Sequence, residues 1–338
     1  MRDRFLHGTI KPMGIFRRNR VATVALNVRP QAGPYGGANQ WAGQISTALR
    51  RSGYQVVFDL RPEVDLVLGT HLGLSGHLAF SWDDVAVAKV RNPKLRVIQR
   101  INDNDMRKRT RGMNEVLSTA NRSADHTVFV SAWLRDHHAG IWFDATLPHS
   151  VIEPGADSAV FHPIGNRPWR TGEPFRFVTH HWSDNPAKGF DVYAAMDEAI
   201  AKNRALGFEL WVIGRWPSGL QWKSARTFPA ASGERLAGLL RQCHAYVSAS
   251  RHEPGGMHPV EGIQCGLPLL YHRDAGGTVS LGERFGVLLG EDAAGSMVQM
   301  RHAYPLLRPK VLGEPPSGDM MCLCYRRLEQ AEIANARA

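Results

Sequence analysis

Short apolar runs alternate with amphipathic stretches along most of the chain. The first apolar run covers residues 21–28, and a glycine-rich turn separates it from a stretch with helical periodicity. The apolar side chains of this stretch recur at i, i+4, i+7 and i+8: Trp41, Ile45, Ala48 and Leu49. This spacing places them on one face of an α-helix, and Gly53 is suited to end that helix. The pattern therefore predicts a strand, a turn and a helix in this order.

The same alternation continues through the first half of the chain. Further strands are predicted at residues 56–60, 65–68, 95–101 and 126–130, with helical stretches between several of them. Strands that alternate with helices favour a parallel sheet covered on both faces. Residues 162–174 then hold three prolines and two glycines without apolar periodicity, which is typical of a linker. We place a domain boundary in this segment.

The pattern restarts after the linker. Strands are predicted at residues 175–180, 208–213, 245–249 and 267–271. The helices between them have apolar faces formed by Val192, Met196 and Ile200, and by Leu236, Leu239, Leu240 and Cys243. We predict an α/β protein with a basic leader (1–20), two doubly wound Rossmann-like domains (21–168 and 169–318) and a C-terminal helix (319–338). Ligands of such folds bind beyond the carboxyl ends of the strands, so the cleft between the domains is the expected site.

Charge and composition narrow the class of protein. The 338 residues are 43% hydrophobic and 21% charged, which is typical of a globular protein and excludes wholesale disorder. Lys and Arg number 41 against 31 Asp and Glu, so the expected partner is anionic: nucleotide phosphates, a lipid surface or nucleic acid. No apolar run is long enough to span a bilayer. The four cysteines lack CxxC spacing, which favours a reducing, cytoplasmic setting without disulfides or structural zinc.

The first twenty residues mix basic and apolar side chains. Such a segment could lie on an anionic lipid surface, which would make the protein peripheral on the inner face of the membrane. A frayed basic leader is the alternative interpretation.

The segment from residue 248 to 277 is the most informative about function. Glu253 and Glu261 are separated by seven residues, and Pro259 suits the first position of a helix, which would place Glu261 in the first turn. Gly255 and Gly256 allow a ligand to approach the backbone closely. A helix start binds an anion such as a diphosphate, and a carboxylate beside it can accept hydrogen bonds from the vicinal hydroxyls of a ribose. An ordinary turn followed by a helix with a favourably placed acidic residue is the alternative.

These residues resemble the hallmark of the retaining glycosyltransferases of family 4, which have the GT-B fold. Their Glu-x7-Glu motif continues into a glycine-leucine-proline strand, here Cys265-Gly266-Leu267-Pro268. Other segments resemble the family in the same order along the chain: Gly36-Gly37, residues 65–71, Ala124-Asp125 with Ser131, Gly155-Ala156-Asp157 with Phe161 and Pro163, Lys188-Gly189, Val212-Ile213-Gly214 and Gly276-Gly277. The resemblance covers about residues 21–290.

The resemblance implies a GT-B enzyme whose second domain binds a nucleotide-activated sugar and whose first domain binds the acceptor. It implies transfer to a hydroxyl with retention and without a metal ion or other cofactor, and a C-terminal helix that crosses back over both domains. The candidate catalytic residues are Glu253, Lys188 and Asp103; the donor-binding candidates are Glu261, Gly255, Gly256, Met257, His258, Lys188, Gly214 and His181; the candidates in the first-domain cleft are Gly36, Gly37, His71 and Asn102.

Each main role has a chemical reason. A cation at Lys188 would stabilise the charge that grows on a departing diphosphate. Glu253 could act as a nucleophile, as paired carboxylates do in retaining glycosidases, but the resemblance implies that it binds the donor sugar. Glu261 would bind the ribose of a UDP- or GDP-linked donor. The expected acceptor is a hydroxyl group of a glycan, a glycolipid or a small molecule, and an anionic or lipid-linked acceptor is among the options.

The chain departs from the family pattern at two places. Family members carry an arginine several residues before the lysine, where this chain has His181, Trp182 and Ser183. They also often carry a histidine near the donor sugar, where this chain has Asn102 and Asp103. The missing arginine motivates an alternative function, a sugar-nucleotide-binding protein without transfer activity.

Two further patterns have weaker interpretations. Asp103-Asn104-Asp105 is formally a metal-binding DxD, but such short patterns recur by chance and we expect no metal. The basic run Arg107, Lys108, Arg109 and Arg111 is best interpreted as a solvated helix face. A nucleic-acid-binding protein is the least favoured hypothesis, because no nucleic-acid-binding motif accompanies the charge.

Overall fold

The computed structural model describes residues 20–33, 36–72, 77–108 and 110–337. All of the predicted basic leader except Arg20 lies outside these residues. The described part of the chain forms two six-stranded sheets, and every strand pair in them is parallel. This is the architecture of two doubly wound domains that the alternation of strands and helices predicts.

The first domain contains the sheet of order β2-β1-β3-β4-β5-β6. Its strands are β1 Thr23–Leu26, β2 Gln55–Val57, β3 Leu66–Gly69, β4 Arg96–Ile101, β5 His126–Phe129 and β6 His149–Val151, and its helices are α1 Gly37–Arg51, α2 Trp82–Arg91, α3 Asp105–Lys108, α4 Met113–Asn121 and α5 Ala132–Ala139. Successive residues of β1 enter different cores: Val24 and Leu26 pack with α1, while Ala25 packs with residues of α2. The sheet is therefore buried on both faces, which explains its continuous apolar strands.

The second domain contains the sheet of order β12-β11-β10-β7-β8-β9. Its strands are β7 Phe175–His181, β8 Phe208–Gly214, β9 Arg226–Phe228, β10 Ala245–Ser248, β11 Leu269–Tyr271 and β12 Gly286–Leu288, and its helices are α6 Phe190–Lys202, α7 Gly233–Leu240, α8 Met257–Gln264, α9 Val279–Phe285 and α10 Ala293–Gly313. One face packs on α6 and α10, and the other packs on α7, α8 and α9.

The last helix returns to the first domain. Helix α11, Gly318–Arg337, packs on α1, β3 and β4. Arg96 of β4 donates to the carboxylate of Glu332 at 2.6 Å, and the ring of Tyr325 lies 5.8 Å from that of Trp41 in α1. The chain thus crosses between the domains twice, because β6 and β7 are joined by residues 152–174. The predicted boundary at residue 168 lies within this connection.

The domains also meet directly at the carboxyl ends of their strands. Ser131, which precedes α5, donates a hydrogen bond to the carbonyl oxygen of Pro254 at 2.5 Å. Asn104 reaches the carbonyl oxygen of His252 at 3.4 Å. A Cβ atom on Gly255 would stand only 2.9 Å from the carbonyl oxygen of Val130, so this close approach requires glycine. Among the described residues, none of the helices is both long and apolar enough to cross a membrane.

Candidate functional site

A cleft of about 250 Å³ lies between the two domains. It is lined by Gly36, Gly37, Ala38, Gln40, Arg100, Asn102, Arg107, Val130 and Pro154 from the first half of the chain, and by His180, His181, Trp182, Ser183, Lys188, Glu253, Pro254, Gly255, Met257, His258 and Glu261 from the second. Ten of the predicted site residues are among these. The structure thus brings most of the candidates, which are spread over more than two hundred positions, into one cavity.

Glu253 holds a cation at each carboxylate oxygen. Lys188 Nζ donates to Oε2 at 2.8 Å, and Arg107 Nη2 lies 3.3 Å from Oε1. The side chain of Glu253 is 7% exposed, that of Lys188 14% and that of Arg107 27%. Burial lowers the pKa of Arg107, but the carboxylates of Glu253 and Asp103 outweigh this effect and the pKa is raised above its ordinary value. Arg107 therefore stays charged in the partly buried site.

The turn that carries Lys188 has a local cause. The side chain of Asn185 accepts a hydrogen bond from the backbone N–H of Ala187 at 2.8 Å and caps a short 3₁₀ turn, Pro186–Lys188. Gly189 then takes the left-handed conformation with φ 79°, and a Cβ atom there would lie 2.1 Å from the carbonyl oxygen of Ala249. Only glycine fits at this position. The lysine-glycine pair is thus required to bring Lys188 against the second-domain sheet.

Glu261 lies in the second turn of α8, which corrects the sequence prediction. The helix begins at Met257 with Gly256 as its N-cap, so Pro259 is the third helical residue and not the first. The missing N–H of proline is tolerated throughout the first turn, where N–H groups have no intrahelical partner. The N-cap glycine has no side chain to accept from the N–H groups of the first turn, and no acidic residue lies in that turn. The start of α8 therefore remains open to an anion.

One oxygen of Glu261 is bound by the protein and the other is not. Oε2 lies 2.7 Å from Nε2 of His180, and both side chains are almost completely buried. Oε1 is buried and has no hydrogen-bond partner among the described residues. A buried carboxylate oxygen that lacks a donor is costly. Because Glu261 lines the cleft, a hydroxyl group of a ligand can supply the missing donor.

A chain of hydrogen bonds connects Glu261 with the surroundings of Glu253. Nε2 of His180 lies 2.7 Å from Oε2 of Glu261, and Nδ1 of the same ring lies 2.9 Å from the hydroxyl of Tyr246. The Tyr246 hydroxyl also lies 3.1 Å from Nδ1 of His258. Nε2 of His258 lies 4.0 Å from Oε2 of Glu253. The hydrogen bonds thus extend from Glu261 as far as His258, and the remaining distance to Glu253 is too long for a hydrogen bond.

Two histidines of the cleft, His181 and His258, are neutral at neutral pH. Burial lowers the pKa of His258 well below its ordinary value, and Lys188 and the neighbouring histidines lower it further. Burial and Lys188 do the same for His181. Neither of these two rings therefore adds positive charge to the cleft at neutral pH.

Four predicted site residues do not line the cleft. His71 is 4% exposed, stacks on Trp82 with 5.4 Å between ring centroids, and neither of its ring nitrogens has a hydrogen-bond partner among the described residues. Asp103 lies behind Arg107, at 3.7 Å from its guanidinium. Gly256 is the N-cap of α8, and Gly214 borders a separate hollow beside Trp182.

The two aspartates of the DxD pattern make structural contacts within the first domain. The carboxylate of Asp105 accepts from the backbone N–H groups of Met113 and Asn114 and from the hydroxyl of Thr110, and so holds the loop before α4. Asp103 accepts from the N–H of Asn104. Within the described ranges, no group of three or more His, Cys, Asp or Glu side chains could hold a metal ion.

Two arginines of the cleft are missed by sequence reasoning. The interpretation of the basic run as a solvated helix face is wrong for Arg107, because α3 directs this residue into the cleft toward Glu253. Arg100 lies in β4 among apolar residues and is only 5% exposed. The alternation along a strand could have revealed Arg100, since it shares a face with the buried Ile98 and a charged residue in such a position is unusual.

Comparison with known proteins gives information about the fold. No protein-family model matches the chain, and no curated protein matches it. Among solved structures, a sucrose-phosphate synthase from Thermosynechococcus elongatus is 14% identical, with a TM-score of 0.69 over 93% of this chain and 100% of that one. A glycosyltransferase from Rickettsia africae is 15% identical, with a TM-score of 0.64 over 94% and 100%. HepE from Anabaena in complex with UDP-glucose is 16% identical, with a TM-score of 0.66 over 92% and 100%.

These neighbours resemble the chain over nearly its whole length. Their low sequence identity makes this a statement about the fold alone. The chain has the GT-B fold, as the sequence resemblance implies.

Proposed function

We propose that the protein is a retaining glycosyltransferase, which transfers a sugar from a nucleotide-diphosphate donor to a hydroxyl group. The observation that carries the proposal is the pairing of Lys188 with Glu253 at 2.8 Å beside the open start of α8, in the same cleft as the unpartnered oxygen of Glu261. The fold supports it as well, because a neighbour with this fold, HepE, is described in complex with UDP and with UDP-glucose.

Each part of the donor has a matching group. The start of α8 and Lys188 would bind the diphosphate, because unpaired N–H groups and a cation both attract it. Oε1 of Glu261 would accept a hydrogen bond from a ribose hydroxyl, which would give this buried oxygen the donor that it lacks. Glu253 would accept from a hydroxyl of the transferred sugar. Its two oxygens each contact a cation, which makes it a poor nucleophile and favours the binding role.

The reaction then needs one bond made and one broken at the anomeric carbon. The acceptor oxygen forms the new glycosidic bond on the face from which the diphosphate departs, and the acceptor proton passes to the departing phosphate oxygen. Lys188 would stabilise the charge that grows on this oxygen. We propose that Arg107 provides the second cation, from the first domain, in place of the arginine that family members carry before the lysine. Metal independence follows as a prediction, and activity that persists in EDTA is the expected result.

The test is thermal unfolding with nucleotides. Wild type and Glu261→Ala are heated with UDP, GDP, ADP, CDP and their sugar conjugates, and Glu283→Ala, at an exposed glutamate of α9, is the matched control. A ligand at about 100 times its Kd adds roughly 2.7 kcal/mol to stability. We expect one nucleotide to stabilise wild type and the control but not Glu261→Ala.

Turnover decides between a transferase and a protein that only binds sugar nucleotides. With the stabilising donor, release of nucleoside diphosphate and a product of retained configuration, measured by NMR, support transfer. Binding without any turnover would favour the binding protein. If no nucleotide at millimolar concentration stabilises folded wild type, the proposed function is wrong.

A further inference from the structure

Arg100 occupies the first-domain wall of the cleft near the carboxyl end of β4. Its Nη1 lies 3.5 Å from the hydroxyl of Thr70, the residue that follows β3. The sheet order β2-β1-β3-β4 makes the crevice beyond β1 and β3 the switch point of this domain. Crevices at such points are the usual ligand sites of doubly wound sheets. Arg100 therefore lies where the first domain is expected to bind its own ligand.

The guanidinium of Arg100 is buried without an opposite charge. Its neighbours are the ring of Trp41, whose centroid lies 4.8 Å from Cζ, and the uncharged side chains of Thr70 and Tyr325. Among the described residues no carboxylate pairs with it, and its Nε is buried without a hydrogen-bond partner. Burial lowers the pKa of Arg100, and the contact with Tyr325 only partly offsets this effect.

Arg96 provides an internal comparison, because it lies on the same face of the same strand. Its guanidinium contacts two carboxylates, Asp125 at 3.2 Å and Glu332 at 2.6 Å. Arg96 is thus paired although its side chain is 26% exposed, whereas Arg100 is more deeply buried, where an unpaired ion is strongly unfavourable. Arg100 differs from Arg96 in that it lines the cleft, where a ligand can bring the opposite charge.

The start of α1 adds a second attraction for an anion in the same wall. Gly36 is the N-cap of this fifteen-residue helix and offers no side-chain cap, and the first turn contains no acidic residue. Gly36, Gly37 and Ala38 all line the cleft with Arg100. The unpaired N–H groups and the positive end of the helix dipole therefore act together with the guanidinium.

We propose that Arg100 and the start of α1 form a binding site for an anionic group of the acceptor, a phosphate or a carboxylate. The inference rests on the proposed function, in which the donor diphosphate occupies the opposite wall at α8 and Lys188. An acceptor held by its anionic group on the first domain would have its hydroxyl directed across the cleft toward the donor sugar. The acceptor is then a sugar phosphate or a sugar acid rather than a neutral sugar.

The test measures anion binding when the donor site is already occupied. Wild type, Arg100→Gln and Arg100→Lys are saturated with the nucleoside diphosphate that stabilises wild type, and then titrated calorimetrically with inorganic phosphate, glucose 6-phosphate, glucuronate and glucose. Arg91→Gln, at an exposed arginine in the last turn of α2, is the matched control. Glucose 6-phosphate and glucuronate distinguish a phosphate source of the charge from a carboxylate source.

We expect wild type and Arg91→Gln to bind at least one of the anions and to bind glucose more weakly. Loss of a hydrogen-bonded charge should weaken anion binding by Arg100→Gln about 10- to 100-fold, with partial recovery in Arg100→Lys and unchanged affinity for the nucleotide. Unchanged anion binding by Arg100→Gln would overturn the inference, as would a loss of nucleotide affinity, which would place Arg100 at the donor.

Two further outcomes are decisive. If Arg100→Gln does not fold, the titrations of wild type and Arg100→Lys decide, and a wild type that binds none of the anions overturns the inference. A wild type that binds no nucleotide refutes the proposed function instead, so the two failures are distinguishable.

Discussion

Replacement of Lys188 by methionine should separate its contribution to stability from its contribution to transfer. The substitution keeps most of the side-chain volume and removes the cation that lies 2.8 Å from Oε2 of Glu253. Glu253 is 5% exposed as a whole residue, so water cannot replace the lost partner well. The variant retains Arg107 at 3.3 Å from the other carboxylate oxygen.

The magnitude follows from this geometry. Removal of one partner of a buried ion pair costs about 3–5 kcal/mol, because it leaves an uncompensated charge. Arg107 compensates part of that charge, so we expect a loss of about 2–3 kcal/mol in the free energy of unfolding. If Lys188 also stabilises the departing diphosphate, kcat should fall by about 10²–10³-fold, the effect of removing one such preorganised donor.

The double variant Lys188→Met/Glu253→Gln distinguishes the two effects. With no unpaired carboxylate left, its stability should return to within about 1 kcal/mol of wild type, whereas turnover should stay low. Stability is measured by urea unfolding, and turnover by the release of nucleoside diphosphate. Lys202→Met is the control, because Lys202 pairs with Glu198 at 3.0 Å but is 74% exposed, and we expect a loss of about 0.5 kcal/mol or less.

Two results would refute this reasoning. If Lys188→Met is as stable as Lys202→Met, the charge of Glu253 does not depend on Lys188. If the double variant regains the turnover of wild type, Lys188 acts only by pairing with Glu253 and does not stabilise the diphosphate.

Three other predictions use different measurements. Burial raises the pKa of Glu329 from its ordinary 4.5 to about 8, so the free energy of unfolding should fall as the pH rises from 4.5 to 8. In urea unfolding, we expect Glu329→Gln to be more stable than wild type by up to about 5 kcal/mol at pH 8.5 and equally stable below pH 4.5. Burial lowers the pKa of His71 from 6.5 to about 4, so its contribution to stability is fully present above pH 6.5 and is lost as the pH falls. Between pH 6.5 and 4.5 the free energy of unfolding should fall by about 1.4 kcal/mol per pH unit, and His71→Phe should remove this pH dependence. Gly255→Ala should push the domains apart, because its Cβ would lie 2.9 Å from the carbonyl oxygen of Val130. We expect it to lower the nucleotide affinity measured by calorimetry about tenfold. Gly219→Ala is the control and should leave this affinity unchanged, because a Cβ atom at Gly219 would contact nothing within 4 Å.

The alternation of apolar residues predicts the central strands well. Strand β4 is predicted at residues 95–101 and observed at Arg96–Ile101, and β7 is predicted at 175–180 and observed at Phe175–His181. Both lie inside parallel sheets, where burial on two faces requires a continuous apolar run. The strands that the pattern does not predict, β6, β9 and β12, have three residues each and lie at sheet edges. So short a strand with partial exposure has little periodicity to detect.

The candidate site, like the fold, has one part that the sequence can predict and one part that it cannot. The spacing of Glu253 and Glu261 around two glycines is local, because a turn and the start of one helix hold both residues, and the sequence could therefore indicate it. The hydrogen-bond network through His180, Tyr246 and His258 joins three separate elements, and no spacing along the chain predicts which ring nitrogen lies next to which oxygen.

The sequence by itself determined the alternating α/β pattern, the two domains and the short motif around Glu253, because these depend on periodicity and on turns within a few residues. Only the tertiary structure decided that Arg107, in the first domain, shares the carboxylate of Glu253 with Lys188 of the second. The tertiary structure also decided that Arg100 is buried in the cleft without a carboxylate partner among the described residues, whereas Arg96 on the same strand has two such partners. Charge pairing depends on distance in space, and residues more than a hundred positions apart come within hydrogen-bonding distance only once the domains have packed together.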